Sequence, residues 1–251
     1  PNRTWVSRHL LYTHGCGLVV APASKVTIDG RPIYTKLDVK QPELYFGEGL
    51  DSYALVNSRE VEQSCADGKT SAFSGVGGVQ LSSFVRRAVF AVHLGEFNLV
   101  GSGLITSQSQ IMLFRNIRER AEKIAPFLKM DSDPYPVVVD GKVMWVLDAF
   151  TTTDRYPYAQ RANIDQLSGG SGLNTNFNYV RNSVKVVVDA YNGSMKFYVV
   201  DQKDPIISTW QSVYPKLFTS VALAPKQLVE HFRYPEDLFR VQTNIYGRYQ
   251  F

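Results

Sequence analysis

Between Pro136 and Asp201 the apolar positions fall into runs of β-branched and aromatic residues broken by short polar pairs. PVVVDGKVMWVLDAF, Pro136 to Phe150, breaks at Asp140-Gly141, and VKVVVDAYNGSMKFYVVD, Val184 to Asp201, breaks at Asn192-Gly193. Asp-Gly and Asn-Gly between such runs predict β-hairpins, because these residues reach the positive φ that a tight hairpin turn requires. Upstream the period changes. Val79, Leu81, Phe84, Val85, Ala88, Val89 and Val92 predict a helix from Val79 to Leu94, ended by Gly95. Its apolar residues cover so much of the circumference that burial on several sides is expected. Ile111, Phe114, Ile117, Ala121 and Ile124 form one helical stripe, with Arg115, Arg118, Glu119, Arg120, Glu122 and Lys123 on the other side. That second helix is expected to start near Ser107, where Ser-x-x-Gln matches a capping box, and to stop before Pro126.

Shorter signals fill in the remainder. Leu44 to Phe46 and Ser52 to Val56 read as strands. Asp204-Pro205 reads as a cap and first-turn proline, and Pro225 and Pro235 each open a further short helix. Residues 62–78 are small, polar and Gly-rich, which predicts a surface loop. Gln160 to Asn178, containing LSGGSGLNTNF, predicts a flexible internal loop. Strands arrive in hairpin pairs rather than as βαβ units. The expected class is therefore α+β, an antiparallel sheet built from β-hairpins, with two main helices and short C-terminal helices.

With 44% hydrophobic and 20% charged residues over 251 positions, the chain has the composition of a packed domain rather than a disordered one. The net charge of +4 is mild and unclustered, which argues for ordinary solubilising charge and against a nucleic-acid partner. No apolar run approaches the roughly 18 residues a membrane-spanning helix needs, and no signal peptide opens the chain. It begins Pro-Asn-Arg and stops at Tyr-Gln-Phe, and so reads as a piece of a longer protein.

Candidate chemistry is sparse. GVGGV, Gly75 to Val79, fits neither a phosphate-binding loop nor a dinucleotide fingerprint and reads as a helix entry. The four histidines, His9, His14, His93 and His231, make no i,i+4 pair, so no metal and no cofactor are expected. Cys16 and Cys65 are either a disulfide pair or two free thiols, according to compartment. His14 lies two residues before Cys16, and the two are expected to point to opposite faces. TTTDRYPYAQR, Thr151 to Arg161, is the densest polar-aromatic stretch. Thr152, Asp154, Arg155, Tyr156 and Tyr158, with Arg181 and Asn182 near the second hairpin, are the candidate ligand-binding residues. No catalytic residue set is assigned. The enzymatic alternative, a hydrolase or transferase acting on envelope polymers, would draw its carboxylates from Asp131, Asp133, Asp148, Asp154 and Asp189.

Several long phrases carry a family resemblance: THGCGLVVAP, ELYFGE, GVGGVQL, RNIRERAEKIAPFL, DPYPVVVDGKVMWVLDAFTTTDRYPYAQ, NYVRNSVKVVVDAYNGSMKFYVVDQKDPI and HFRYPEDLFRVQ. They run through nearly all of the chain, which resembles the large non-membrane region of the bacterial membrane proteins grouped as uncharacterised protein family 0182. The resemblance implies transmembrane helices upstream of residue 1 as partners within the same protein. It implies a location at the cell membrane, with this region, 1–251, forming one extracytoplasmic domain. It supplies no catalytic or ligand residues. Cys16 stands where the family phrase usually has an aromatic residue, so a family-wide disulfide is not implied. Together these readings give an extracytoplasmic, non-enzymatic domain that binds an envelope lipid or sugar, a solute or a partner protein.

Overall fold

The computed structural model describes residues 4–65 and 72–249. By its internal contacts the chain divides into two units. The first comprises Pro1–Asn116 with the hairpin tips Gly141–Val143 and Ala190–Ser194; the second comprises Ile117–Asp140, Met144–Asp189 and Met195–Phe251.

The first unit opens on a helical turn, Ser7–Leu11, that buries His9 and Leu10. Strand β1 (Gly15–Cys16) pairs antiparallel with β2 (Glu43–Leu44). A second small sheet has the order β3-β5-β4, all antiparallel, from β3 (Ala54–Val56), β4 (Val79–Gln80) and β5 (Gln110–Met112). Helix α1 (Phe84–Leu94) and the single turn α2 (Asn98–Gly101) pack Ala91 and Leu99 beside Leu10, Leu55, Leu81 and Ile111.

Both helix predictions for this region need correction. The helix expected from Val79 starts at Phe84, because Val79 and Gln80 pair with β5 and Ser83 Oγ caps the helix by accepting from Arg86 N at 3.3 Å. Its end at Gly95, φ 68°, is as expected. The helix expected from Ser107 is strand first: Ile111 lies opposite Leu55 and Met112 opposite Ala54, all fully buried. Phe114, at φ 50°, then breaks the path before helix starts at Ile117. An apolar stripe at helical spacing says only that positions are buried; pairing partners distant in sequence decide which element buries them.

Arg115, expected on an outer helix face, is buried. Its guanidinium donates to three backbone carbonyls: Tyr45 O at 2.8 Å, Ser52 O at 3.2 Å and Thr13 O. Burial lowers its pKa to about 10, so it remains a cation at neutral pH. The GVGGV stretch is no helix entry either. A side chain at Gly77 would run into Asn192 O and the Phe46 ring, so the glycine permits close backbone packing. Of the loop expected over 62–78, residues 66–71 lie outside the described residues, and Phe73 is buried.

The second unit is built on the two hairpins. Strands β6 (Lys129–Met130), β7 (Tyr135–Val139), β8 (Lys142–Thr153), β9 (Tyr179–Asp189), β10 (Met195–Val199) and β11 (Phe218–Ser220) form one sheet of order β11-β10-β9-β8-β6, with β7 also on β8. Asp140 and Gly141 take φ 52° and 77° and Gly193 takes φ 69°, the left-handed values the turn residues predict. β8 and β9 join the hairpins antiparallel, from Met144 opposite Asp189 to Thr153 opposite Tyr179. Within this sheet β10 and β11 run parallel, a pairing that no local signal announces. The class is α+β with a predominantly antiparallel sheet.

The helices of this unit are α3 (Ile117–Ile124), α4 (Pro205–Val213), α5 (Lys226–Val229) and α6 (Glu236–Gly247). The three prolines open their helices as expected, with Pro205 in the first turn of α4 and Pro225 and Pro235 capping α5 and α6. One core cluster gathers Tyr135, Val137, Val139, Val146, Val187, Tyr198 and Leu228. The other gathers Phe150, Leu173, Phe177, Leu238 and Val241. Each large side chain withdrawn from water here contributes about 1.5–3 kcal/mol. Residues 160–178 contain no helix or strand, yet they place Leu173 and Phe177 in that second cluster, and Gly172 N donates to Met130 O at 2.8 Å.

Candidate functional site

The far end of the β8–β9 ribbon carries Thr152, Arg181 and Asn182, and the segment that leaves β8 carries Asp154, Arg155, Tyr156 and Tyr158. Thr152 lies opposite Val180, Thr151 opposite Arg181 and Phe150 opposite Asn182. Strand alternation then separates the nominees. Arg181 points outward to an ion pair with Asp201, 3.0 Å apart. Asn182 points the other way and donates Nδ2 to Asp148 Oδ1 at 2.7 Å. Asp154 and Arg155 sit side by side in solvent, with 3.9 Å between carboxylate and guanidinium. Tyr156 stacks on Tyr179 at 5.5 Å between ring centroids, whereas Tyr158, at φ 59°, is fully exposed. The seven residues share a neighbourhood but do not converge on one point.

Beside them, within the same unit, is a cavity of about 360 Å³. Phe177, Val180, Val241, Ile245 and Tyr249 give it apolar walls, and Arg161, Arg248, Gln160 and Asn178 supply the polar groups. Asn178 ties this cavity to the nominated segment: its Oδ1 accepts from Tyr156 N at 3.0 Å and its Nδ2 donates to Tyr156 O at 2.8 Å. Helix α6 and its C-cap residue Arg248 place Val241, Ile245 and Arg248 along one side because they recur at helical spacing. That spacing was the signal available for Arg248. Arg161 closes the polar-aromatic stretch but was not singled out. Among the described residues no Asp or Glu lines the cavity. Two arginines over apolar walls suit a ligand with one anionic group and a short apolar body.

Two of the carboxylates named for the enzymatic alternative, Asp131 and Asp148, are engaged in buried structural contacts. Asp131 accepts from Asp133 N and Asp237 N, at 2.9 and 3.0 Å. Asp237 returns the favour to Ser132, accepting from its N and Oγ at 2.9 and 2.8 Å. Burial lifts the Asp131 pKa to about 6 against these donors. Asp148 forms a buried ion pair with Lys185, whose Nζ also donates to Arg233 O at 2.6 Å. Burial raises the Asp148 pKa although Lys185 and Asn182 oppose the shift. Asp154 is on the surface and Asp189 lies opposite Met144 in the ladder.

The cysteines are joined. Cys16 and Cys65 form a disulfide with Cα atoms 5.2 Å apart, so the described residues contain no free thiol. His14 is not turned away from Cys16: its Nδ1 lies 3.9 Å from Cys16 Sγ and 3.4 Å from Cys65 Sγ. In extended backbone, residues i and i+2 share a face, which is why the expectation of opposite faces fails.

Comparison with known proteins agrees with the resemblance carried by the long phrases. The profile of the Uncharacterised protein family (UPF0182) matches residues 1–251. The chain belongs to the UPF0182 family. Curated relatives in that family include proteins of Trichodesmium erythraeum, 41% identical over 98% of this chain, and Methanospirillum hungatei, 44% identical over 98%. A Clostridium acetobutylicum member is 42% identical over 98%. The chain spans 27–29% of the length of these relatives. No solved structure matches. Among the described residues no helix is long and apolar enough to cross a membrane.

Proposed function

We propose that this chain is the extracytoplasmic, ligand-holding domain of a membrane protein, and that its cavity takes a small amphiphile of the envelope bearing one anionic group. The observation that carries this reading is the cavity itself. Apolar walls with Arg161 and Arg248, and no carboxylate among the described lining residues, suit binding rather than acid-base chemistry. The structural work done by Asp131 and Asp148 favours this reading over the hydrolase or transferase. The partners within the same protein are its transmembrane helices, and the length of the relatives leaves room for them.

Calorimetric titration with octyl phosphate tests the cavity, with octyl glucoside as the uncharged counterpart. Octyl phosphate should bind, and Arg161→Gln with Arg248→Gln should weaken it at least about tenfold, the worth of one or two charge-assisted hydrogen bonds. Equal binding of both amphiphiles, or none of either, defeats the assignment. Location is tested separately. Tyr158→Cys in the full-length protein should react with a membrane-impermeant maleimide on intact cells, because Tyr158 is fully exposed. Labelling only after lysis would place the domain on the other side.

A further inference from the structure

We propose that His14, Cys16 and Cys65 form a redox-gated site for a thiophilic divalent metal ion, closed while the disulfide is intact and open to Zn²⁺ once it is reduced. One nitrogen and two sulfurs, the borderline-soft donors zinc prefers, lie within 4.8 Å of one another. Zinc bonds of roughly 2.0–2.1 Å to nitrogen and 2.3 Å to sulfur in a tetrahedron require N···S separations near ~3.5 Å. His14 Nδ1 already stands 3.4 Å from Cys65 Sγ and 3.9 Å from Cys16 Sγ. The two sulfurs must separate, from bonded contact to about 3.8 Å, the edge of the same tetrahedron. Side-chain rotation at Cys16, which is exposed, allows that movement while the backbone stays in place.

The surroundings hold the third ligand ready. The edge of Tyr45 packs against the His14 ring, with centroids 5.1 Å apart, and so sets its orientation. Nδ1 also lies 3.1 Å from Gly15 O; in the tautomer whose proton sits on Nε2, Nδ1 leaves this carbonyl and offers its lone pair to the metal. β1, which carries Cys16, is fixed to β2 through Gly15 opposite Leu44 and Cys16 opposite Glu43. Three protein ligands leave a fourth position for water or an external ligand, the coordination of an open rather than a structural zinc site.

The chemistry balances with a thiol as reductant. Two external thiols reduce the Cys16–Cys65 bond to two protein thiols and leave as their own disulfide. Zn²⁺ then displaces one proton from each cysteine, and both protons go to solvent. Reoxidation by a disulfide reverses the first step and expels the metal, since a bonded sulfur pair cannot supply two thiolates.

The test is cobalt and zinc titration of the 251-residue chain before and after anaerobic treatment with a phosphine reductant. The reduced chain should bind about one equivalent of Co²⁺ with thiolate charge-transfer and tetrahedral ligand-field absorption, and Zn²⁺ should displace it. The disulfide form should bind none. His14→Ala keeps the disulfide, and after reduction it should bind at least about tenfold more weakly. Metal uptake equal in His14→Ala, or absent from a reduced chain that keeps its native circular dichroism, would overturn the proposal. So would loss of that circular dichroism on reduction if zinc does not restore it.

Discussion

Two buried aspartates of the second unit respond to pH in opposite senses. Asp131 is raised from 3.8 to about 6 by burial, with the N–H groups of Asp133 and Asp237 opposing the shift. Its folded form therefore holds a proton more tightly than the unfolded chain. The stability it contributes is complete below 3.8 and is lost as pH rises to about 6. Burial acts on Asp204 as well, but donation from Ser183, Thr151 and Tyr179 overcomes it and leaves the carboxyl below its ordinary value. Its contribution is present above 3.8 and disappears as pH falls. Urea midpoints measured against pH should separate the two. Asp131→Asn should flatten the decline between 3.8 and about 6, and a curve parallel to that of the parent chain would show that another group titrates there. The Asp148–Lys185 pair supports a second residue-level prediction. Lys185→Met leaves a buried carboxylate without its cation and should cost about 3–5 kcal/mol by denaturant unfolding. Adding Asp148→Leu should recover most of that loss, because removing both charges also removes their desolvation cost.

At the scale of elements, the parts that local chemistry specifies were legible in the sequence and the parts that distant pairing specifies were not. Asp140-Gly141 and Asn192-Gly193 announce their hairpins because a positive φ is a property of the turn alone. Asp204 announces α4 for the same reason: its carboxylate accepts from Ile206 N at 3.1 Å and Ile207 N at 3.3 Å. The sequence did not announce that the same carboxylate also receives the hydroxyls of Thr151, Ser183 and Tyr179, from two other strands. Asp204→Ala should therefore cost more than an ordinary cap, about 2–4 kcal/mol against ~1, because it orphans buried hydroxyls as well. A loss near 1 kcal/mol in chemical denaturation would mean that water replaces the carboxylate. Ile111 and Met112 illustrate the illegible part, since their spacing fits a helix and only Ala54 and Leu55, far upstream, make them a strand. The cavity falls between these cases. Its polar-aromatic border was visible at Tyr156, whereas its walls come from Phe177 and α6, brought together only by folding.

On the scale of the molecule, α1 departs furthest from expectation. Its length and composition suggested a helix buried on several sides, yet Phe84, Val85, Val89 and Val92 are between 60% and 79% exposed, with Phe97 just beyond at 80%. A contiguous apolar face of this kind is an interaction surface or an aggregation hazard. The relatives are more than three times as long as this chain, which leaves other segments of such a protein available to cover the face. The disulfide adds a constraint of its own in this unit: closing the loop between Cys16 and Cys65 contributes about 4 kcal/mol in the chain-entropy account. The stability of the isolated chain and the covering of α1 separate experimentally. Val85→Lys with Val89→Lys should leave the denaturant midpoint of the 251-residue chain unchanged within about 0.5 kcal/mol, as exposed substitutions do. The same pair should reduce self-association of that chain in sedimentation and lower the abundance of the full-length protein, where two charges would be buried. A large destabilisation of the isolated chain would mean that the face is already covered from within. Normal abundance of the full-length variant would mean that nothing covers it.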